Sequence, residues 1–182
     1  PYYKIAQKML GATPSKQITH ADELLKSCAN DIGKGDTFHV NDVGVFFGKE
    51  NKTVSDPYFE GKGPERTGCT FCGGCMVGCR VGAKNTLDKN YLYLAEQLGV
   101  TIIPETKVLD VKPGKESKYE LRSKKITKLF SSTKFLHAKN VIFSGGVMGS
   151  VKLLLKCKNK GSLPNLSDQL GNFVRTNSEA LV

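Results

Sequence analysis

Residues 68–88, GCTFCGGCMVGCRVGAKNTLD, constrain this chain more than any other stretch. They carry Cys69, Cys72, Cys75 and Cys79, four of the six cysteines, within a glycine-rich run. Core packing does not explain thiols at that density. Spacings of two or three residues let a loop turn several sulfurs toward one point, and soft thiolates suit Zn²⁺ or an iron–sulfur cluster. The pattern C-x₂-C-x₂-C-x₃-C follows the bacterial cluster-binding run, with Arg80 in place of the closing proline. In that run the fourth cysteine serves another cluster, and the sequence contains no second run. The alternative is a reduced loop of partly buried thiols, because free cysteine packs as a small hydrophobe. The four cysteines are therefore candidate metal ligands. An iron–sulfur or zinc module for electron transfer or structure, built on this loop, is one function class.

The 182 residues fit one large domain or parts of two, and an apolar content of 39% can bury a core. The net charge of +10 is spread along the chain, with a local lysine cluster in 118–134. Such a spread reads as a solvated surface; a nucleic-acid stripe would be more focused. No nucleic-acid partner is expected. No apolar run approaches the roughly 18 residues that a membrane span needs. Closely spaced cysteines suit a reducing compartment, which favours the cytoplasm. The chain starts PYYKIAQKML, without methionine and at helical periodicity, so it reads as an internal fragment.

Taken in order, Tyr2, Ile5, Ala6, Met9 and Leu10 predict a helix ended by Gly11. Thr19 and Asp22 predict a capping box for a second helix. Its apolar stripe is Leu24, Leu25, Cys28 and Ile32, so Cys28 reads as core. Residues 37–47 read as extended, and residues 49–66 as a polar loop. Asn85 is placed as the cap of a third helix, with Asp88 in the reciprocal position. An apolar strand is expected at 100–103. Residues 106–111 and 119–122 read as strands, and 125–136 as continuing β character, around a turn at Pro113-Gly114. Residues 140–143 predict another buried strand. A glycine turn, Ser144-Gly145-Gly146, and a helix through Val151, Leu154 and Leu155 follow. Strand, glycine turn and helix form the dinucleotide-binding arrangement, one glycine short here of the full fingerprint. A tight strand–helix junction is the alternative. Residues 167–171 read as a short helix, and Cys157 as packed.

The order and wording of four stretches resemble the glucose–methanol–choline oxidoreductases, in their cholesterol-oxidase-like branch. These are DPYFEGKG at 56–63, CTFCGGCMVGCRVGAKNTLDKNYLYL at 69–94, TKVLDV at 106–111, and VIFSGGVMGSVKLLLKCKNKGSLPNLSDQL at 141–170. The resemblance implies an α/β fold with a mixed α+β insert. It would be part of a Rossmann-like FAD-binding domain with part of the interleaved substrate domain. Residues 1–66 would lie on the cap or substrate side. Residues 67–182 would be the centre of the FAD-binding domain, with the cysteine-rich loop at 68–82 and a β-meander at 101–138. The implied chemistry is oxidation of an alcohol, such as a 3β-hydroxysteroid, by hydride transfer to FAD, with O₂ or another acceptor. Val108 matches the valine whose backbone pairs with adenine. Gly145 and Gly146 match glycines near the cofactor, and Asn177 matches a polar segment leading toward the flavin. The family's N-terminal fingerprint and C-terminal catalytic histidine match nothing here, so His20, His39 and His137 are read as structural or surface residues. A fragment lacking both is expected to be inactive alone.

Overall fold

The computed structural model describes residues 1–127 and 130–176. Two compact units divide the chain, Pro1–Ile102 and Ile103–Val182. The thiol loop lies in the first unit. Helix α1 covers Tyr2–Leu10 and ends at Gly11, whose φ is 57°. Strand β1, Thr13–Pro14, pairs antiparallel with β2, Asp42–Val43. Between them runs α2, His20–Asp31, opened by the expected capping box: Thr19 Oγ1 accepts from Asp22 N–H, and Asp22 accepts from Thr19 N–H. The α2 stripe departs from expectation. Leu25 and Ile32 are 63% and 73% exposed, and Cys28 is exposed as well. Helical periodicity says which residues share a face; it does not say what covers that face.

Only Asp42–Val43 of the expected extended run 37–47 is a strand; Gly35–Thr37 is a turn of 3₁₀ helix. The polar stretch 49–66 contains β3, Thr53–Val54, which pairs antiparallel with β4, Arg66–Thr67. The third helix, α3, starts later than expected, at Tyr91–Gln97, and Asn90 caps it by accepting from Tyr91 N–H. A 3₁₀ turn, Leu87–Lys89, intervenes. This frees Asn85 for the interior, where it is buried. The expected strand at 100–103 does not form, because Val100 N–H folds back onto Ala95 O at the helix end.

The second unit is a three-stranded antiparallel sheet in the order β5-β6-β7, with one helix packed on it. The strands are Thr106–Pro113, Tyr119–Lys125 and Thr133–Ala138. This is the predicted meander. Register slips between Val108, opposite Ser123, and Asp110, opposite Arg122, so Leu109 is the extra residue of a bulge. Helix α4, Gly146–Asn159, packs on β5. Val111 and Ser123, each 1% exposed, and fully buried Cys157 form the core, as expected for Cys157. Residues 140–143 are irregular where a strand was expected, and among the described residues no strand flanks them. A buried strand needs neighbours to take its backbone hydrogen bonds. Residues 167–171 are turns rather than a helix. Among the described residues no helix is long and apolar enough to cross a membrane.

Candidate functional site

In the second unit, β5 lies at one edge of the described sheet. Alternate residues of an edge strand turn their N–H and C=O groups away from the ladder, where a ligand can take them. Val108 sits on this edge, at the bulge. Opposite it comes the 141–145 segment, then α4. A cavity of about 490 Å³ lies among these three elements, and both Val108 and Gly145 line it. The fold thus brings together two residues 37 positions apart (145 − 108) that the sequence had singled out.

The lining suits a flat heteroaromatic ring attached to phosphates. Val108, Val111, Leu121, Val141, Phe143 and Leu153 make its apolar walls. Lys107, Lys152 and Lys156 supply three cations, and none of the described lining residues is acidic. Gly146 takes φ +67°, a conformation that side-chain-bearing residues rarely adopt. Nothing lies within 4 Å of where a Cβ on Gly146 or Gly149 would stand, so the start of α4 is open to a ligand. Gly145 N–H itself donates to Ser150 Oγ at 3.1 Å. Asn177 lies outside the described residues. The three lysines were not anticipated, although Lys152 and Lys156 stand one helical turn apart and so share a face.

Below this cavity, Asp110 Oδ1 accepts from the Cys157 thiol at 3.4 Å, tying α4 to β5. Burial pushes Asp110 up, but hydrogen bonds from Ser162 and Cys157 and the charges of Lys160 and Arg122 outweigh it, leaving the carboxyl below its ordinary 3.8. Burial, then Asp110, pushes the Cys157 thiol above its ordinary 9.0.

In the first unit, the 56–63 motif is a loop wound on one carboxylate. Asp56 accepts from the amides of Tyr58, Phe59, Gly61 and Gly63 at 2.8–3.1 Å. Burial raises its pKa, yet these four donors bring it below 3.8. Arg66, 1% exposed, donates to Asn85 Oδ1 at 2.9 Å and to Lys89 O at 2.6 Å, with longer bonds to Pro64 O and Glu65 O. Its guanidinium lies 5.7 Å from the Tyr58 ring centroid. Asn85 Nδ2 in turn donates to Met9 O at 3.2 Å. Sequence reading missed this hub, because an arginine in a polar run reads as surface.

The hub holds the base of the thiol loop. Cys69 N–H donates to Phe46 O, Phe46 N–H to Ala83 O, and Asn85 N–H to Gly44 O. Both ends of the loop therefore hang on residues 44–46. The approach is close at Gly68, where an added Cβ would meet Lys49 O at 2.0 Å, so no larger residue fits there without moving backbone. Cys69, Cys72, Cys75 and Cys79 all line a second cavity, of about 480 Å³. Among the described residues, however, no three histidine, cysteine, aspartate or glutamate side chains are gathered to hold a metal ion. That corrects the ligand set expected from spacing. Two of the sulfurs take a local amide instead: Phe71 N–H donates to Cys69 Sγ, and Lys84 N–H to Cys79 Sγ. Burial raises the Cys79 pKa, but the amides of Lys84, Ala83, Gly82 and Val81 together bring it below 9.0. His20, His39 and His137 line neither cavity.

An edge strand, a glycine turn at a helix start and a cationic apolar cleft define a dinucleotide-cofactor domain. A family model for GMC oxidoreductases matches residues 63–168, more than half of the chain, and the chain belongs to that family of FAD-binding oxidoreductases. Along its whole length it is 46% identical to a cholesterol oxidase of Acinetobacter baumannii, over 191 aligned residues and 34% of that protein. It is 44% identical to a cholesterol oxidase of Mycobacterium tuberculosis strain CDC 1551, over 188 residues and 32% of that protein. The chain spans about a third of the length of the curated relatives it matches.

Proposed function

We propose that this chain is the adenine-side part of a flavoenzyme that oxidises the 3β-hydroxyl of a steroid to a carbonyl. The observation that carries the reading is the cavity joining Val108, Gly145 and the lysines of α4. The backbone of Val108 offers the adenine edge a donor and an acceptor side by side. Valine, leucine and phenylalanine side chains flank the ring, while Lys152 and Lys156 attract phosphate charge. FAD, when bound, supplies the hydride acceptor, and the protein orients it. No group in this chain is assigned to proton transfer. Asn177 is assigned to the cofactor's flavin side, and residues 1–66 to the substrate side. Sterol is favoured over other alcohols because two of the relatives are cholesterol oxidases. O₂ is the favoured acceptor on the same ground, and the closely spaced cysteines favour the cytoplasm.

The test is the visible spectrum of the full-length protein, recorded before and after adding cholesterol without oxygen. A flavin band that bleaches with the sterol and returns with air supports substrate and acceptor together. A band indifferent to cholesterol but bleached by another alcohol overturns the steroid assignment. A folded full-length protein that neither carries nor takes up FAD overturns the reading.

A further inference from the structure

Charge is divided unequally between the two units. The first, Pro1–Ile102, carries 12 lysine and arginine residues against 11 aspartate and glutamate residues, whereas the second, Ile103–Val182, carries 15 against 6. Nine of the ten net positive charges (15 − 6) therefore belong to the second unit. Several of them gather at one end of its sheet, where β5 begins, β6 ends and β7 begins. Lys107 stands directly opposite Lys124 in the β5–β6 register, and Lys134 opposite Ser123 in the β6–β7 register. Like charges facing each other across a ladder repel. Lys107, Lys124 and Lys134 are exposed, and among the described residues neither they nor Lys125 make an ion pair. Toward the other end, by contrast, Lys112 pairs with Glu120 at 2.9 Å. Successive strand residues alternate faces, so Lys124 and Lys125 lie on opposite faces and charge surrounds this end of the sheet. Glu105 is the carboxylate here, and it accepts from Thr127 Oγ1 at 2.8 Å. The same end exposes large apolar side chains: Ile126 is 65% exposed and Phe130 is 91% exposed. Its base is tied, because Ile126 N–H donates to Glu105 O and Ser131 Oγ donates to Lys125 O at 2.8 Å.

We propose that this end of the meander docks on an anionic phospholipid surface. Ile126 and Phe130 enter the boundary between headgroups and acyl chains, and Lys124, Lys125 and Lys134 meet the charged headgroups around them. The lysine stems lie along the apolar layer while their ammonium groups stay at headgroup level. Headgroup anions also relieve the repulsion between Lys107 and Lys124, which no carboxylate of the described residues relieves. Charge alone would fit any polyanion, and exposed apolar side chains alone would fit any apolar partner. The two together, at a sheet end with unpaired lysines on both faces, match the layered chemistry of a bilayer surface.

This inference does not rest on the sterol or flavin assignments, because the probe is a sterol-free vesicle. Full-length protein as purified is sedimented with vesicles of phosphatidylcholine alone, or of phosphatidylcholine with phosphatidylserine, at low and at high salt. Expected is binding about tenfold tighter to the serine-lipid vesicles, weakening as salt rises. Lys124→Glu with Lys134→Glu should lower that binding about tenfold or more. Lys107, which also lines the cofactor cavity, is left unchanged. The control is Lys4→Glu with Lys8→Glu on α1, an equal change of net charge at exposed lysines of the first unit, and it should alter binding by no more than about twofold. Phe130→Ser should weaken binding about threefold at either salt concentration, because the part it removes is apolar. All five positions are exposed, so melting temperatures should match the wild type, and the wild-type comparison of the two vesicles needs no variant. Equal binding to both vesicles, no binding at low salt, or an equal loss in the α1 control would each overturn the proposal. So would an oligonucleotide held more tightly than the anionic vesicles at the same salt, which would make the surface a nucleic-acid site.

Discussion

The two units are built on different principles. The second has strands of eight, seven and six residues in one ladder, and a helix of fourteen packed on it. Its order comes from repeated backbone pairing over a small buried core of Val111, Ser123 and Cys157. In the first, every strand has two residues. Its order comes from two side chains that collect irregular backbone: Asp56 gathers four amides, and Arg66 gathers three carbonyls and Asn85. Distributed bonding loses little when one partner goes. Concentrated bonding loses several partners with one substitution, and leaves buried groups unmet. Single substitutions should therefore hurt the first unit more.

The largest effect is expected at Arg66. Arg66→Ala strips donors from Asn85 Oδ1 and Lys89 O, in a place where water does not reach the guanidinium. A loss of about 3–5 kcal/mol follows from leaving buried partners unmet. It is read by urea unfolding of the full-length protein. Arg66→Lys should recover only a minor part, since one ammonium cannot span the fork. Next is Asp56→Ala, which unties the amides of residues 58, 59, 61 and 63 at once, for about 2–3 kcal/mol. Hydrogen exchange at those amides should rise together. A loss confined to one or two of them would refute the idea of a single organising carboxylate.

Val111→Ala tests the other side of the comparison. It removes two methyl groups from a site that is 1% exposed and should cost about 2 kcal/mol. If it cost more than Arg66→Ala, the contrast between the units would be wrong. A smaller effect is expected on ligand binding. Lys152→Glu reverses one of three cations at the proposed adenine cavity. FAD affinity should fall about five- to tenfold, by titration of apoprotein and with unchanged unfolding, because the charge is exposed and screened.

The same contrast explains what was legible in the sequence. Signals that act within one turn or one ladder were readable: Gly11 ending α1, the Thr19–Asp22 box, the strand at 106–111, and the glycine turn before α4. So was the packing of Cys157 on the apolar side of α4. Val108 and Gly145 were picked out through resemblance, and only the bulge and the 141–145 segment explain why they share a cavity. The first unit was harder, because a hub has no period. Asn85 has the composition of a helix cap, yet Arg66, nineteen positions upstream, claims it, and Asn90 caps instead. The strands expected at 100–103 and 140–143 failed because apolar composition does not supply a neighbouring strand. Thiol spacing, likewise, says that sulfurs can meet, but it does not fix the side-chain directions that gather them into a ligand set.

The smallest effect expected is also the most selective, because it lies in the distributed unit. Asp110 and Cys157 form one hydrogen bond with opposite pH demands. Asp110 titrates lower in the fold than its ordinary 3.8, so its contribution is present above that value and is lost as pH falls through the lower folded one. Cys157 titrates higher than its ordinary 9.0, so its contribution is present below 9.0 and is lost as pH rises through the folded value. The pair therefore stabilises the α4–β5 contact between those limits. Cys157→Ala should flatten the alkaline limb of a stability–pH curve and leave most of the acid limb. Asp110→Asn should flatten acid loss only in proportion to its share, because Asp56 titrates in the same direction in the first unit. Melting followed by an amide probe on β5, rather than by a global signal, separates the two carboxylates. An alkaline limb unchanged in Cys157→Ala would mean that the buried thiol sets no limit on the sheet–helix contact.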